Sequence, residues 1–268
     1  SPVAGYSPDL LSAEAVKFIQ ENRQRPFFLY LPFIEPHFRI EAPEEEVALY
    51  RGKFKEKDPS KPLNATYAAM IHRMDKAIGR VLDALDETGL AGNTLVVFSS
   101  DNGATFEAGN QGTANYHDSN GPFRGQKRSL EEGGIRVPGV VRWPGRAPAG
   151  RVSEEIVHMI DVMPTFVAAA GGSTDPAWGV DGHNMLDVWT GKAPAPERPL
   201  FWEWRTEAWN MLAAMRGDFK LLQMGENRFL YNLRDDPQER RTVGGEYPEM
   251  QKRLQADLRA WLATEVKK

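Results

Sequence analysis

Apolar residues recur along this chain with different spacings, and the spacings divide it into elements. Leu11, Ala15, Phe18 and Ile19 fall on one helical face after Ser7-Pro8-Asp9, a helix start with a hydroxyl cap and a proline in the first turn. Phe27-Phe28-Leu29-Tyr30-Leu31 is a continuous apolar run, which predicts a buried strand. The charged stretch 41–61 reads as surface loop with one helical turn. Tyr67, Ile71, Met74, Ile78, Val81 and Leu85 keep a three-to-four spacing and define the clearest helix, closed by Gly89. Leu95-Val96-Val97-Phe98 predicts a second buried strand. The order strand, long helix, strand predicts a right-handed crossover onto a parallel sheet.

Between residues 99 and 134 periodicity fades and Gly, Asn and Ser dominate, as in functional or disordered loops. A strand is predicted at 137–143, and a helix at 161–170 with Asp161 as its cap. After Lys192, Ala193-Pro194-Ala195-Pro196 has linker composition. Four short strand candidates follow, at 200–204, 211–215, 220–223 and 229–233, with Gly217-Asp218 at the middle turn. Residues 248–266 place Met250, Leu254, Leu258, Trp261 and Leu262 on one helical side. The expected organisation is an α/β domain over 1–192 and a small antiparallel α+β subdomain over 193–268.

Composition narrows the function. Hydrophobic residues make up 41% of 268, enough for a sizeable core. With 33 Lys and Arg against 37 Asp and Glu, the net charge of −4 offers no general field for nucleic acid. The absence of cysteine excludes disulfides, cysteine–zinc sites and an encoded cysteine nucleophile. No apolar run approaches the roughly 18 residues of a membrane span. Ser1-Pro2-Val3-Ala4 is neither an initiator methionine nor a signal peptide, so a longer or processed chain is expected.

Three clusters carry candidate chemistry. Ser99-Ser100-Asp101-Asn102-Gly103 sits where the second strand should end, the usual ligand position in open α/β sheets. Asp101 and Asn102 offer a carboxylate and an amide oxygen, suited to a hard cation such as calcium; the same residues are also ordinary turn chemistry. Glu35-Pro36-His37 follows the first strand, so His37 and Asp101 should face one sheet edge, where His37 can give a proton or meet an oxyanion. In Gly125-Gln126-Lys127, ahead of Glu132-Gly133-Gly134, Lys127 is a point charge suited to an anionic group, without Walker A spacing. Arg39, His117 and Arg124 are candidate substrate contacts. His72 reads as structural, His158 as a strand-end residue, and Trp202, Trp204 and Trp209 as core or the floor of a sugar site.

Taken together, these segments resemble the C-terminal half of a formylglycine-dependent, arylsulfatase-like sulfatase. The resemblance rests on the Pro36-His37 element, the long helix with Met74-Asp75, Ser100-Asp101-Asn102-Gly103 and Asn120-Gly121-Pro122-Phe123-Arg124-Gly125. It continues through Lys127 five residues before Glu132-Gly133-Gly134, then Arg136-Val137-Pro138, and Leu230-Tyr231-Asn232-Leu233 with Asp236-Pro237 and Glu239. It implies an alkaline-phosphatase-like α/β fold, present in part: a mainly parallel sheet flanked by helices, with a small C-terminal antiparallel α+β subdomain. It implies hydrolysis of a carbohydrate or aryl sulfate ester by a formylglycine hydrate made from Cys or Ser in a C/S-x-P-x-R motif. Asp101 and Asn102 would be Ca2+ ligands, Asp101 also lying near the nucleophile. His37 and Lys127 would contact the sulfate and the leaving oxygen, where charge builds.

The family places its nucleophile motif and first two Asp ligands upstream of the His37 element, and neither is found here. Ser60-Lys61-Pro62-Leu63-Asn64 has Asn where Arg is required and lies on the wrong side of His37. This chain alone is therefore expected to be inactive, with an incomplete Ca2+ site. Expected partners are a sulfated small molecule or glycan, and the missing N-terminal half or a second copy; nucleic acid is not expected. A periplasmic, secreted or lysosomal location is expected from the family. Two alternatives stand beside this reading. One is a phosphatase, phosphodiesterase or phosphonate hydrolase of the same superfold, although Asp101-Asn102 in place of Asp-His favours one hard cation over two transition metals. The other is a non-catalytic fragment that binds anionic glycans.

Overall fold

A helix pinned by ions organises the first of two compact units, which comprises residues 1–96, 105–119 and 143–145. The computed structural model describes residues 4–206 and 210–265, so Trp209 and Val266 lie outside the described residues. Helices α1 (Ser7–Glu21) and α2 (Glu44–Ala48) pack on α3 (Leu63–Glu87), and α4 (Thr113–Tyr116) adds a single turn. The apolar faces predicted for α1 and α3 meet at Ile19, Ala84 and Leu85. Beside that seam runs an ion network. Arg73 donates to Asp9 Oδ2 at 2.8 Å and to Glu46 Oε1 at 3.0 Å. Lys76 reaches Glu46 Oε1 at 2.6 Å and Arg80 reaches Asp9 Oδ1 at 2.5 Å. His72 Nδ1 lies 3.1 Å from Glu46 Oε2, the structural role expected of it.

The run 27–31 departs from expectation. It forms no β-ladder, so the predicted crossover from it to the second strand is not built as a ladder. Phe27 and Leu29 pack against the α1–α3 seam, while Phe28 is 69% and Tyr30 76% exposed. A strand needs a partner for its backbone, and no described segment supplies one here.

The second unit comprises residues 97–104, 120–142 and 146–268. Strand β1 (Val96–Ser99) pairs with β2 (Gly139–Arg142), close to both predicted positions. Three short helices belong to this unit: α5 (Glu132–Ile135), just ahead of β2, and α6 (Val162–Ala169) and α7 (Leu186–Trp189) after it. All four late strand candidates form: β3 (Leu200–Arg205), β4 (Asn210–Arg216), β5 (Phe219–Met224) and β6 (Asn227–Asn232) make one antiparallel meander. Period-two alternation gives this sheet two apolar faces. Ala214, Leu221 and Leu230 meet Leu254 and Leu258 of α8 (Pro248–Glu265). On the other face Ala213, Met215, Leu222 and Tyr231 cover Leu130 from the long glycine-rich loop.

Asp161 does not cap α6 as expected. Its buried carboxylate instead accepts from the His158 and His183 backbone N–H groups at 2.8 and 2.9 Å and from Arg198. A carboxylate removed from water needs such donors. His158 caps the 3-10 turn Met159–Asp161 that leads into α6, its Nδ1 accepting from the Ile160 N–H at 3.2 Å, and burial lowers its pKa. Among the described residues no helix is long and apolar enough to cross a membrane.

Candidate functional site

In the second unit the turn after β1 and the glycine-rich loop are knitted together by their backbones. Gly103 N–H donates to Gly134 O at 3.0 Å, and Lys127 N–H to Ala104 O at 2.9 Å. Asn120 ties both sides: its Oδ1 accepts from Ala104 N–H at 2.7 Å and its Nδ2 donates to Gly125 O at 3.0 Å. Gly133 N–H closes the loop on Arg124 O at 2.6 Å. Such approach is open only to glycine. A Cβ on Gly103 would drive into the Gly133 carbonyl, and one on Gly134 into the Ser129 carbonyl.

This scaffold holds two charges without neutralising them. Neither the Asp101 carboxylate nor the Lys127 ammonium has a hydrogen-bond or ion-pair partner among the described residues. Asp101 is exposed and Lys127 half-buried. Asn102 donates its Nδ2 to Gly103 O at 2.9 Å, which leaves its Oδ1 as an acceptor. Asp101 and Asn102 thus present hard oxygens, the right kind of donor for calcium. Calcium takes about 6–8 oxygens, and no group of three or more His, Asp or Glu side chains that could hold a metal ion occurs among the described residues. The residues present do not by themselves fit a calcium site.

Of the other candidates, Arg124 belongs to this unit and is engaged. Its Nε lies 2.8 Å from Glu131 Oε1, its Nη2 donates to Tyr231 Oη at 3.1 Å, and its guanidinium lies over the Tyr231 ring. Trp202 packs at the edge of the sheet core against the His158 ring, and Trp204 packs against the same core.

The first unit holds His37, Arg39 and His117. His37 Nδ1 lies 2.9 Å from the Phe38 carbonyl. A carbonyl only accepts, so Nδ1 carries the proton and Nε2 remains for other chemistry. Arg39 is exposed, with Glu41 3.9 Å away. His117 stacks on Tyr67 and donates Nε2–H to Asn64 O at 3.0 Å, a packed position. A cleft of about 290 Å³ in this unit is lined by Arg73, Lys76 and Arg80. Those cations are already matched by Asp9 and Glu46.

Sequence reasoning missed one polar cluster beneath the loop. Lys220 is wholly buried, with Nζ 2.8 Å from Glu132 Oε1 and 2.9 Å from Glu239 Oε1. The available signal was its register: Lys220 stands opposite Met215 and Tyr231, on an inward face.

These features define an α/β protein of the alkaline-phosphatase-like fold, with glycine-clasped loops after a strand and an α+β piece beneath them. The chain belongs to the sulfatase family: residues 1–173 match the Sulfatase model, and residues 123–267 match that of N-sulphoglucosamine sulphohydrolase, C-terminal. Steryl-sulfatase of Mus musculus is 36% identical over 197 residues, covering 72% of this chain and 29% of that protein. N-acetylgalactosamine-6-sulfatase of Canis lupus familiaris is 34% identical over 193 residues, covering 70% and 33%. The crystal structure of Ps i-CgsB matches with a TM-score of 0.87 at 29% identity, covering 97% of this chain and 56% of that one. The same protein is also solved in complex with k-i-k-neocarrahexaose. The chain therefore spans about a third of the curated relatives' length and just over half of the solved structure's.

Proposed function

We propose that this chain is the C-terminal part of a sulfatase that hydrolyses a carbohydrate or aryl sulfate ester through a formylglycine encoded outside these 268 residues. The observation that carries the reading is the clasped pair of loops with Asp101 and Lys127 left unpaired. Uncompensated charges on a rigid frame are what an anionic ester and a cation beside it require. Lys127 holds a sulfate oxygen as a point charge. His37, protonated on Nδ1 in its neutral form, offers Nε2 to a sulfate or leaving-group oxygen. Asp101 and Asn102 contribute two oxygens toward a Ca2+ ion whose remaining ligands lie elsewhere. The C-terminal sheet supports the loop through Leu130 and Glu132.

A sulfated glycan is the favoured substrate class, because Ps i-CgsB, at 29% identity, is solved in complex with k-i-k-neocarrahexaose. The reading is tested by sequencing the reading frame upstream of Ser1. A frame that runs through an Asp pair and a C/S-x-P-x-R motif is expected. One that opens at Ser1 overturns it. Assayed alone with 4-methylumbelliferyl sulfate, the chain is expected to release no product above background.

A further inference from the structure

Lys220 occupies a place in β5 where the alternation calls for an apolar side chain, between Met215 and Tyr231 on the face that carries Leu130. Its ammonium bridges two carboxylates, and Glu239 Oε2 in turn accepts the Glu132 backbone N–H at 2.8 Å. Arg136 stands 3.6 Å from the other Glu132 oxygen, so two cations face two anions. Glu239 is wholly buried and left-handed, at φ 55°, a conformation that costs a non-glycine residue energy.

Neither feature is an economical way to stabilise a core. Buried ion clusters often do no better than apolar residues of the same volume, and Leu130 already anchors the loop apolarly. What the cluster adds is direction. Glu132 opens α5, Gly133 and Gly134 follow it, and Gly134 O is the acceptor that holds Gly103 behind Asp101-Asn102. Lys127 hangs from the same loop through Ala104.

We infer that Lys220 and Glu239 are positioning residues of the candidate site: they clamp Glu132 from the C-terminal sheet and thereby set the place of Lys127 and of the Asp101-Asn102 turn. The inference rests on the reading of Lys127 and Asp101 given under Proposed function.

Amide exchange on the 15N-labelled full chain tests it. In Glu239→Gln and Glu239→Gly, the Gly103, Lys127, Gly133 and Gly134 amides are expected to exchange about tenfold faster relative to those of Leu221 and Leu230. The glycine variant separates the two explanations. It suits the left-handed backbone, so a purely backbone role leaves loop protection equal to or above wild type, and that result overturns the clamp. Acceleration of loop and sheet together in Glu239→Gln overturns it as well. Leu254→Ala, on the opposite face under α8, serves as the structural control. It is expected to loosen the sheet without a selective effect on the loop. Lys220→Met is expected to act as the glutamate variants do; should it fail to fold, those two decide. Inorganic sulfate is the second probe, followed through the Lys127 side-chain resonances. Binding about fivefold weaker in Glu239→Gln than in wild type is expected from a displaced Lys127, and equal binding counts against positioning. A wild-type Lys127 that ignores sulfate overturns the role given to Lys127, while exchange still decides the clamp.

Discussion

Gly103 shows how much of the candidate site depends on a missing side chain. Its N–H and the space where a Cβ would sit are both taken up by the Gly133-Gly134 backbone. Gly103→Ala is therefore expected to part the two loops and cost about 1–3 kcal/mol, as overpacking does. Urea denaturation measures it; a loss below the error of the method would mean the clasp is slack. Asp101 and Asn102 make a second case. One carboxylate and one amide oxygen provide little charge and few ligands, so this chain is expected to bind calcium with Kd of about 1 mM or weaker. Calorimetry giving micromolar binding, abolished in Asp101→Ala, would show that the residues here complete a site after all.

At the scale of elements, the sequence was most legible where periodicity is local. The six apolar positions from Tyr67 to Leu85 place α3, and the alternation after residue 200 places all four strands of the meander. The run 27–31 failed because a ladder is a property of two segments, and apolarity in one says nothing of its partner. Asp161 failed similarly: besides the nearby His158 N–H, its donors come from His183 and Arg198, distant in the chain. At the candidate site, Asp101, Asn102 and Lys127 stood out by residue type. The glycine clasp and the Lys220 cluster did not, since both arise from contacts between remote loops.

The ion network across α1, α2 and α3 has a consequence in acid. Hydrogen bonds from Arg73, then Arg80, hold the Asp9 pKa below its ordinary 3.8. Those from Lys76, then Arg73, hold Glu46 below its ordinary 4.5. Groups with depressed folded pKa values contribute stability that is present above the unfolded values and lost as pH falls through the folded ones. Glu239 has the opposite sign, since burial raises its pKa. Acid unfolding is thus expected to begin in the first unit, below about pH 4.5. Glu46→Gln and Asp9→Asn should flatten the acid limb while lowering stability at neutral pH. Helical circular dichroism against pH provides the check, and an acid limb identical to wild type in both variants contradicts the assignment.

For the molecule as a whole, the decisive feature is the apolar surface that its own folding leaves uncovered. In the first unit, Phe28, Tyr30 and Ile34 are 69%, 76% and 62% exposed on a segment whose backbone has no ladder partner. In the second, Val140 of β2 is 55% exposed. Exposed apolar side chains beside unpaired backbone are a template for adding another strand. The chain is therefore expected to self-associate with rising concentration unless a strand-bearing partner covers that face. Replacing Tyr30 and Ile34 by lysine and serine should reduce association at little cost in stability, because both side chains are largely exposed. Leu29→Ser should instead destabilise the α1–α3 seam, where Leu29 packs. Sedimentation velocity over a concentration series, with thermal melts of each variant, separates the two effects. A wild-type chain that sediments as one monomeric species and melts cooperatively would mean that Tyr30 and Ile34 are tolerated as ordinary surface, and that this segment demands no partner.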